Sequence, residues 1–529
     1  MDTTAKPEPS AYSSREALAD SDFRPLSGPE LIFAVAGAVG TDLALVCNVL
    51  AEHLGAVGYT DAKTIRLSEL LRLFPVNKDI PRSPADDRTR SLMDAGDQLR
   101  EKLDRGDAMA LLGVAAIREE RKKITGSLKT PAPRQAYLLH SLKHPAEVRT
   151  LRRTYGRAFY LIAASSNRDA RVSALSERIA KSRHDFDEDK YRGVAEELIK
   201  RDEADLAKRF GQDLRDTFPL ADLFVDATSR EALSSGIGRF VDLLFGYPFH
   251  TPMPDEFGMF HAQACALRSA DLSRQVGAVI TSRAGEIVSM GCNDVPRPGG
   301  GYYWPGDLND HRDFVLGYDP STKTKKQILA EIFHILQDNG WLSDDKKGRE
   351  IEDLVDQALV GNPSAVLKDA QLMNILEFGR VVHAEMSAIA EAARRGLPTP
   401  GATLYCTTYP CHICARHIIS AGISRVVYIE PYPKSMAQKL YPEAISMDGR
   451  ELATQVVNFE PFLGVSPSRY FDLFDMIAER KDESGDAVQW KRSNSAPRLE
   501  RMVGSYLEIE TLAVGVLEAG LSRSGLSTV

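Results

Sequence analysis

Apolar and polar positions divide the chain into two stretches in which strand-like and helix-like periodicities alternate. Leu31–Ala36 is an uninterrupted apolar run closed by Gly37-Ala38-Val39-Gly40, and Leu43, Val46, Cys47 and Leu50 then recur at helical spacing. The pattern predicts strand, glycine turn, helix. Helical periodicity continues over residues 91–104 and 108–121, and apolar runs at 158–163 and 223–226 read as further buried strands. Strands alternating with helices imply a parallel sheet covered by helices. Residues 1–26 are polar and Pro/Ser-rich and read as a flexible tail, so this first domain is expected over 27–245.

Residues 246–254 contain three prolines and read as a linker into a second pattern. A helix over 262–269 precedes an apolar strand at 275–281. The turn Arg283-Ala284-Gly285 then leads into 286–291, which predicts a β-hairpin. A long polar insertion, 297–372, follows. Beyond it the periodicity gives a helix at 382–395, a strand at 402–407, a helix at 414–421 and a strand at 425–429. The second domain is expected over 250–480 in the order α-β-β-insertion-α-β-α-β. A polar segment and an amphipathic closing helix, 499–521, complete residues 481–529.

Composition narrows the chemistry. A hydrophobic content of 43% with 26% charged residues excludes a wholly disordered, fibrous or membrane-embedded chain. The formal net charge of −8 disfavours a protein that wraps polynucleotide, since that binding rests on Lys and Arg neutralising phosphates. The N-terminal residues carry no apolar segment of the secretory kind, so a cytoplasmic protein with no membrane partner is expected. Six cysteines in 529 residues are too sparse for a disulfide scaffold and point to metal binding or catalysis.

His383-Ala384-Glu385 opens a predicted helix, and Pro410-Cys411-His412-Ile413-Cys414 lies between a strand and a helix. Two sulfurs at C-x-x-C spacing can reach one ion, and an imidazole with two thiolates makes three ligands for Zn2+. The fourth tetrahedral position stays open for water, as in catalytic rather than structural sites. Each half has a blander reading alone: a structural zinc knuckle or redox pair for C-x-x-C, a solvated helix face for H-x-E. Together, H-x-E followed by P-C-x-x-C is the arrangement of the zinc nucleobase deaminases, where the glutamate shuttles protons without binding the metal. Glu385 would take a proton from water, pass it to N3 of cytosine during attack at C4, and then protonate the departing ammonia.

Residues 255–475 resemble the cytidine and deoxycytidylate deaminase superfamily. Gln275-Val276-Gly277-Ala278-Val279-Ile280 with Gly291-Cys292-Asn293-Asp294-Val295-Pro296 is similar to its deoxycytidylate branch, as are residues 425–429 and Tyr432-Pro433-Lys434-Ser435. The resemblance implies that Asn293 contacts the substrate sugar, although Asn also suits an ordinary turn after a strand. Lys434 and Arg274 are weaker candidates for the phosphate, since a lone exposed cation is usually just solvated. The insertion departs from the small members of the branch and reads as a lid or an oligomer contact. His311, His334 and Cys292 offer donors for a second metal site, but their scattered spacing favours ordinary structural roles.

The N-terminal turn, with Gly37, Gly40, Thr41 and Asp42, lies where backbone N–H groups can cradle phosphate. It lacks the lysine of a full G-x-x-x-x-G-K-[ST] loop, so it reads either as a nucleotide-binding turn or as a ligand-free strand-to-helix connection. Asp94-Ala95-Gly96-Asp97, Arg171 and Arg178 resemble pieces of nucleoside monophosphate kinase folds. The expected fold class is therefore α/β: a degenerate P-loop kinase-like parallel-sheet domain followed by a cytidine-deaminase-like α/β/α domain. That pairing, with Ser141-Leu142-Lys143-His144-Pro145, Glu147, Tyr155-Gly156 and residues 462–467, resembles the bacterial anti-phage deoxycytidine nucleotide deaminases of the AvcD type. The resemblance implies deamination of dCTP and dCMP, drainage of the deoxycytidine pool during phage replication, silencing by a small RNA, and a homo-oligomer, hexameric in many deoxycytidylate deaminases. A regulatory nucleotide on the N-terminal domain is the further expected ligand. Two other readings stand beside it: a deaminase of cytosine or adenine within RNA or DNA, and a non-enzymatic protein controlled by RNA or nucleotide through the basic runs 118–123 and 149–157.

Overall fold

A computed structural model describes residues 28–526 apart from 204, 206–209, 361–364, 369, 376, 433, 448–455, 478 and 499–504. The expected tail 1–26 lies outside the described residues. The protein is α/β throughout and divides into two compact units, one made of the described residues up to Met253 with those from Leu463 onward, the other of Pro254–Phe462. Among the described residues no helix is long and apolar enough to cross a membrane.

The first unit is built on β1 (Leu31–Ala36), β2 (Lys63–Arg66), β3 (Ala136–His140), β4 (Phe159–Ser165) and β5 (Leu223–Asp226). They lie in the order β5-β4-β1-β3-β2, and every neighbouring pair is parallel. β1 is wholly buried because helices cover both faces, which accounts for its unbroken apolar run. β2 and β3 escape the periodicity reading. In β2 only Ile65 of Lys63-Thr64-Ile65-Arg66 is buried, as suits an edge strand. Open parallel sheets bind ligands beyond the carboxyl ends of their strands, and the glycine turn leaves the carboxyl end of central β1.

The C-terminal residues belong to this unit, and the second compact unit, where a domain was expected over 250–480, spans Pro254–Phe462. The reason is a strand addition: in chain order, Gly464–Val465 is the twelfth strand and pairs antiparallel with Phe224 and Leu223 of β5. Arg469 fixes the join, donating to Asp222 Oδ1 at 2.9 Å and to Phe159 O at 2.9 Å. The polar segment expected at 481–498 is likewise anchored, with Trp490 Nε1 donating to Phe245 O at 3.2 Å and Arg492 bidentate on Asp242 at 2.7 Å for each contact. The closing helix runs Ser505–Ser524 and delivers Glu510 to Arg121. Arg121, Glu30 and Glu510 are all fully buried, with Nη2 of Arg121 2.7 Å from Glu30 Oε2 and Nη1 2.6 Å from Glu510 Oε2. Tyr506 OH donates to the same Glu30 Oε2 at 2.8 Å.

The second unit is a mixed sheet formed by β6 (Gly277–Thr281), β7 (Ile287–Cys292), β8 (Thr403–Thr408), β9 (Arg425–Glu430), β10 (Ile445–Ser446) and β11 (Val457–Pro461), in the order β10-β11-β9-β8-β6-β7. β6 is antiparallel to both β7 and β8, and the remaining pairs are parallel. Side chains alternate across the sheet. Ala278 and Ile280 of β6 join Leu404, Cys406 and Val426 in a core with Ala384, Ala388, Ala415 and Ile418, so the helices Ala384–Arg394 and His412–Ser420 share one face. The insertion has a small core of its own around Leu329, Ile351, Leu354 and Val355. Asp255, at the start of helix Pro254–Ala266, receives both terminal nitrogens of Arg425 at 2.7 Å and Tyr405 OH at 2.9 Å. Burial raises the Asp255 carboxyl, but the Arg425 contacts outweigh it and hold the group below its ordinary range.

Two outcomes follow for stability. Arg121→Ala leaves two carboxylates buried without a countercharge, and is expected to cost about 3–5 kcal/mol in urea unfolding and to detach the closing helix. Because the folded Asp255 carboxyl titrates low, its contribution is complete above the ordinary carboxylate range near pH 4 and is lost as pH falls through the lowered value. Acid unfolding of the Asp255→Asn variant is expected to be less steep over that window than in the parent, as read by circular dichroism.

Candidate metal and active site

Two helix N-termini on one face of the second sheet build the site. His383 is the N-cap of helix Ala384–Arg394, held in extended conformation where Val382 N donates to Asp294 O at 3.0 Å. Cys411 is the N-cap of helix His412–Ser420, and Cys414 N donates to its sulfur at 3.5 Å. The first helix can lie this close to the sheet because β7 offers Gly291: a Cβ there would run into Ala384 O and Ala388 N. Ser289 of the same strand donates to Ala388 O at 2.8 Å.

The consequence is a convergence of donors. His383 Nδ1 stands 3.3 Å from Cys411 Sγ and 3.4 Å from Cys414 Sγ, and the three ligand atoms lie within 4.8 Å of one another. Bond lengths of about 2.1 Å to nitrogen and about 2.3 Å to sulfur at a tetrahedral angle would separate nitrogen from sulfur by about 3.6 Å. The donors therefore fit Zn2+ in spacing and in type. The Cys411 sulfur is pulled down by hydrogen bonds from Cys414 and His383, while the same contact and burial push Cys414 up. One thiolate is thus already favoured between the two sulfurs. Among the described residues this is the one group of three such ligands, and His311, His334 and Cys292 form none.

Glu385, in the first turn after His383, is 4% exposed. Burial first, and then the neighbouring Cys411 charge, pushes its carboxyl up, which suits a group that must both take and give a proton. His383, Glu385 and Cys411 open onto a cavity of about 480 Å³, within the size range of small-molecule sites.

The other expected residues fare differently. Asn293 lines the cavity, but its amide already serves the backbone, with Oδ1 accepting from Val276 N at 2.7 Å and Nδ2 donating to Arg274 O at 2.8 Å. It shapes the wall while keeping one N–H and one lone pair. Arg274 also lines the cavity, its guanidinium 5.3 Å from the centre of the Tyr432 ring. Lys434 is not among the lining residues and donates to Asn374 Oδ1 at 3.0 Å. Sequence reasoning missed the contribution of the insertion: Asp319, Ser321, Thr322 and Lys325, at the start of helix Pro320–Asp338, form part of the wall. The signal available was the N-cap sequence Asp319-Pro320-Ser321-Thr322, which marks a helix start but not its destination. In the first unit, Asp42 caps helix Leu43–Ala56, accepting from Leu45 N at 3.0 Å, so its carboxylate is committed to the backbone.

A His/Cys/Cys ligand set beside a buried glutamate on an α/β unit is the donor arrangement of the zinc nucleobase deaminases. Residues 253–430 match the family described as the cytidine and deoxycytidylate deaminase zinc-binding region, and the C-terminal region of the chain thus contains a domain of that family. The chain is 41% identical over 83 residues to ComE operon protein 2 of Bacillus subtilis, covering 15% of this chain and 44% of that protein. It is 48% identical over 54 residues to the deoxycytidylate deaminase of Enterobacteria phage T2, covering 10% of this chain and 29% of the relative. The chain thus spans less than half the length of either relative. The apo dCMP deaminase structure from cyanophage S-TIM5 is 17% identical, covers 40% of this chain and all of its own, and has a TM-score of 0.21.

The glycine at the contact gives a test away from the ligands. Gly291→Ala is expected to lift the helix that carries His383 and to lower bound zinc well below one per chain, measured by atomic absorption on the folded variant.

Proposed function

We propose that the second unit hydrolytically deaminates free deoxycytidine nucleotides, dCTP and dCMP, to dUTP, dUMP and ammonia. The observation that carries this is the buried carboxyl of Glu385 in the same cavity wall as His383 and Cys411. Held by His383, Cys411 and Cys414, Zn2+ would supply the Lewis acidity that makes water a nucleophile near neutral pH. The residues of the chain do the rest. Glu385 takes a proton from the attacking water and delivers it to N3 as the bond to C4 forms. It then takes the second proton from the new C4 hydroxyl and gives it to the amino nitrogen as the C4–N bond breaks, leaving the C4 carbonyl and ammonia. Its burial keeps the proton from exchanging with bulk solvent. Asn293 uses its remaining amide capacity on the sugar, and Arg274, stacked near Tyr432, offers its guanidinium to the phosphate. The insertion, which contributes Asp319, Ser321, Thr322 and Lys325 to the wall, would act as a lid.

The regulatory reading belongs to the first unit, which we take to bind a nucleotide at the glycine turn with Gly37, Gly40 and Thr41. A homo-oligomer, hexameric in arrangement, control by a small RNA, action in the cytoplasm and depletion of the deoxycytidine pool in anti-phage defence complete the proposal. The defence role and RNA control draw on the motif-level resemblance that includes residues 141–145 and 462–467, the oligomer on the resemblance to deoxycytidylate deaminases, and the compartment on the sparse cysteines.

The test is a panel of dCTP, dCMP, CTP, cytidine and a cytosine-containing oligonucleotide, each followed for ammonia release. Turnover of the deoxynucleotides is expected, with at least a 1,000-fold loss in Glu385→Gln at unchanged zinc content, an order of magnitude in keeping with removal of an acid–base group. Turnover of the oligonucleotide alone would replace the proposal with a polynucleotide deaminase. No turnover of any member by the zinc-loaded protein would overturn it.

A further inference from the structure

The lysine missing from the glycine turn arrives from elsewhere in the chain. Lys143, which follows β3, donates from Nζ to Gly37 O at 2.7 Å and to Asp202 Oδ2 at 2.7 Å. The same Asp202 oxygen accepts from Val39 N, inside the turn, at 2.7 Å. A turn N–H and an ammonium converging on one anionic oxygen is the donor set that holds a phosphate oxygen at such turns. The next residue repeats the theme: Glu203 Oε1 accepts from Arg171 Nη1 at 3.2 Å and Nη2 at 3.1 Å. Arg171 belongs to helix Arg168–Ser182, which approaches so closely that a Cβ on Gly40 would meet its backbone carbonyl. Asp202 and Glu203 form the last turn of helix Arg192–Glu203, so one helix end supplies both carboxylates.

The match is incomplete in an informative way. Asp202 is fully buried, yet among the described residues its Oδ1 has no partner; Thr41, which ends the glycine turn, is 8% exposed and its Oγ1 has none among them either. Buried polar atoms are nearly always satisfied. A planar carboxylate has two oxygens, one of which is idle here, and it leaves the hydroxyl unused. A tetrahedral phosphate presents more oxygens and could engage Val39 N–H, Lys143 and Thr41 together.

We propose that the glycine turn is a phosphate seat for a nucleoside polyphosphate, and that Asp202, seconded by Glu203, is a built-in occupant which the ligand must displace. The inference rests on the regulatory-nucleotide reading of the first unit and adds its mechanism. Occupancy by nucleotide frees the end of helix Arg192–Glu203, and the empty seat recaptures it.

Calorimetric titration of the full-length protein with ATP, and separately with inorganic tripolyphosphate, tests this. Asp202→Asn keeps the side-chain shape, removes the competing charge, and is expected to bind ATP at least tenfold more tightly than the parent. Lys143→Ala is expected to abolish that binding, which separates the seat from the deaminase cavity. Hydrogen exchange on the parent provides a readout independent of any variant: saturating ATP should speed exchange across residues 192–203. Equal ATP affinity in the parent and Asp202→Asn, with unchanged exchange, would overturn the built-in occupant while leaving nucleotide binding in place. No ATP binding by any form would overturn the nucleotide reading as well. Tripolyphosphate binding as tightly as ATP would overturn the assignment to a nucleoside polyphosphate.

Discussion

The second unit depends on how closely one helix can lie on one strand. At Gly291 the backbone of helix Ala384–Arg394 meets β7 with no side chain between them, and that approach sets where His383 stands. Because His383 and Cys411 are both N-caps, their side chains leave the backbone where helix N–H groups favour negative charge, which helps the sulfurs carry it. The 3.3 and 3.4 Å separations are therefore a result of sheet packing as much as of ligand identity. Glu385 follows automatically: two residues past the N-cap, it falls in the first helical turn and under the same cover.

The first unit solves a different electrostatic problem. Arg121 lies at the centre of a buried cluster, and its two carboxylate partners come from residue 30 and residue 510, near opposite ends of the described chain. Buried ion pairs of this kind add less net stability than their short distances suggest, because both partners lose their hydration. Breaking one is nevertheless costly, and so such a cluster specifies which segment docks. The addition of Gly464–Val465 to β5 acts in the same direction, returning the chain to the first sheet after the second has been completed.

Lys143 and Lys434 show where motif spacing stops being informative. No cation follows Gly40 in sequence, yet the parallel order of the sheet sets the end of β3 beside the end of β1, and Lys143 donates from there to Gly37 O. Lys434 was a phosphate candidate by its neighbours in sequence, but its ammonium is held by Asn374, while Lys325 of the insertion reaches the cavity wall. The amide of Asn293 was expected to face substrate and is largely spent on bracing Arg274 and Val276. In each case the outcome turned on contacts between residues far apart in the chain.

By itself the sequence determined the α/β alternation, the hairpin, the glycine turn and the residues with metal-ligand chemistry, because each is written in short-range spacing: periodicities of two and 3.6, C-x-x-C, and a histidine two residues before a glutamate. It did not determine β2, whose Lys63-Thr64-Ile65-Arg66 carries a single apolar residue, nor β3, although Ala136–His140 is mostly apolar and buried, nor the return of residues beyond 462 to the first sheet. Tertiary structure alone decided which charges meet: Arg121 with Glu30 and Glu510, Asp255 with Arg425, Lys143 with Asp202. The physical reason is that an ion pair has no sequence period. Its partners are chosen by burial, which removes the competing water and leaves each charge with whatever countercharge the packed backbone has brought within reach.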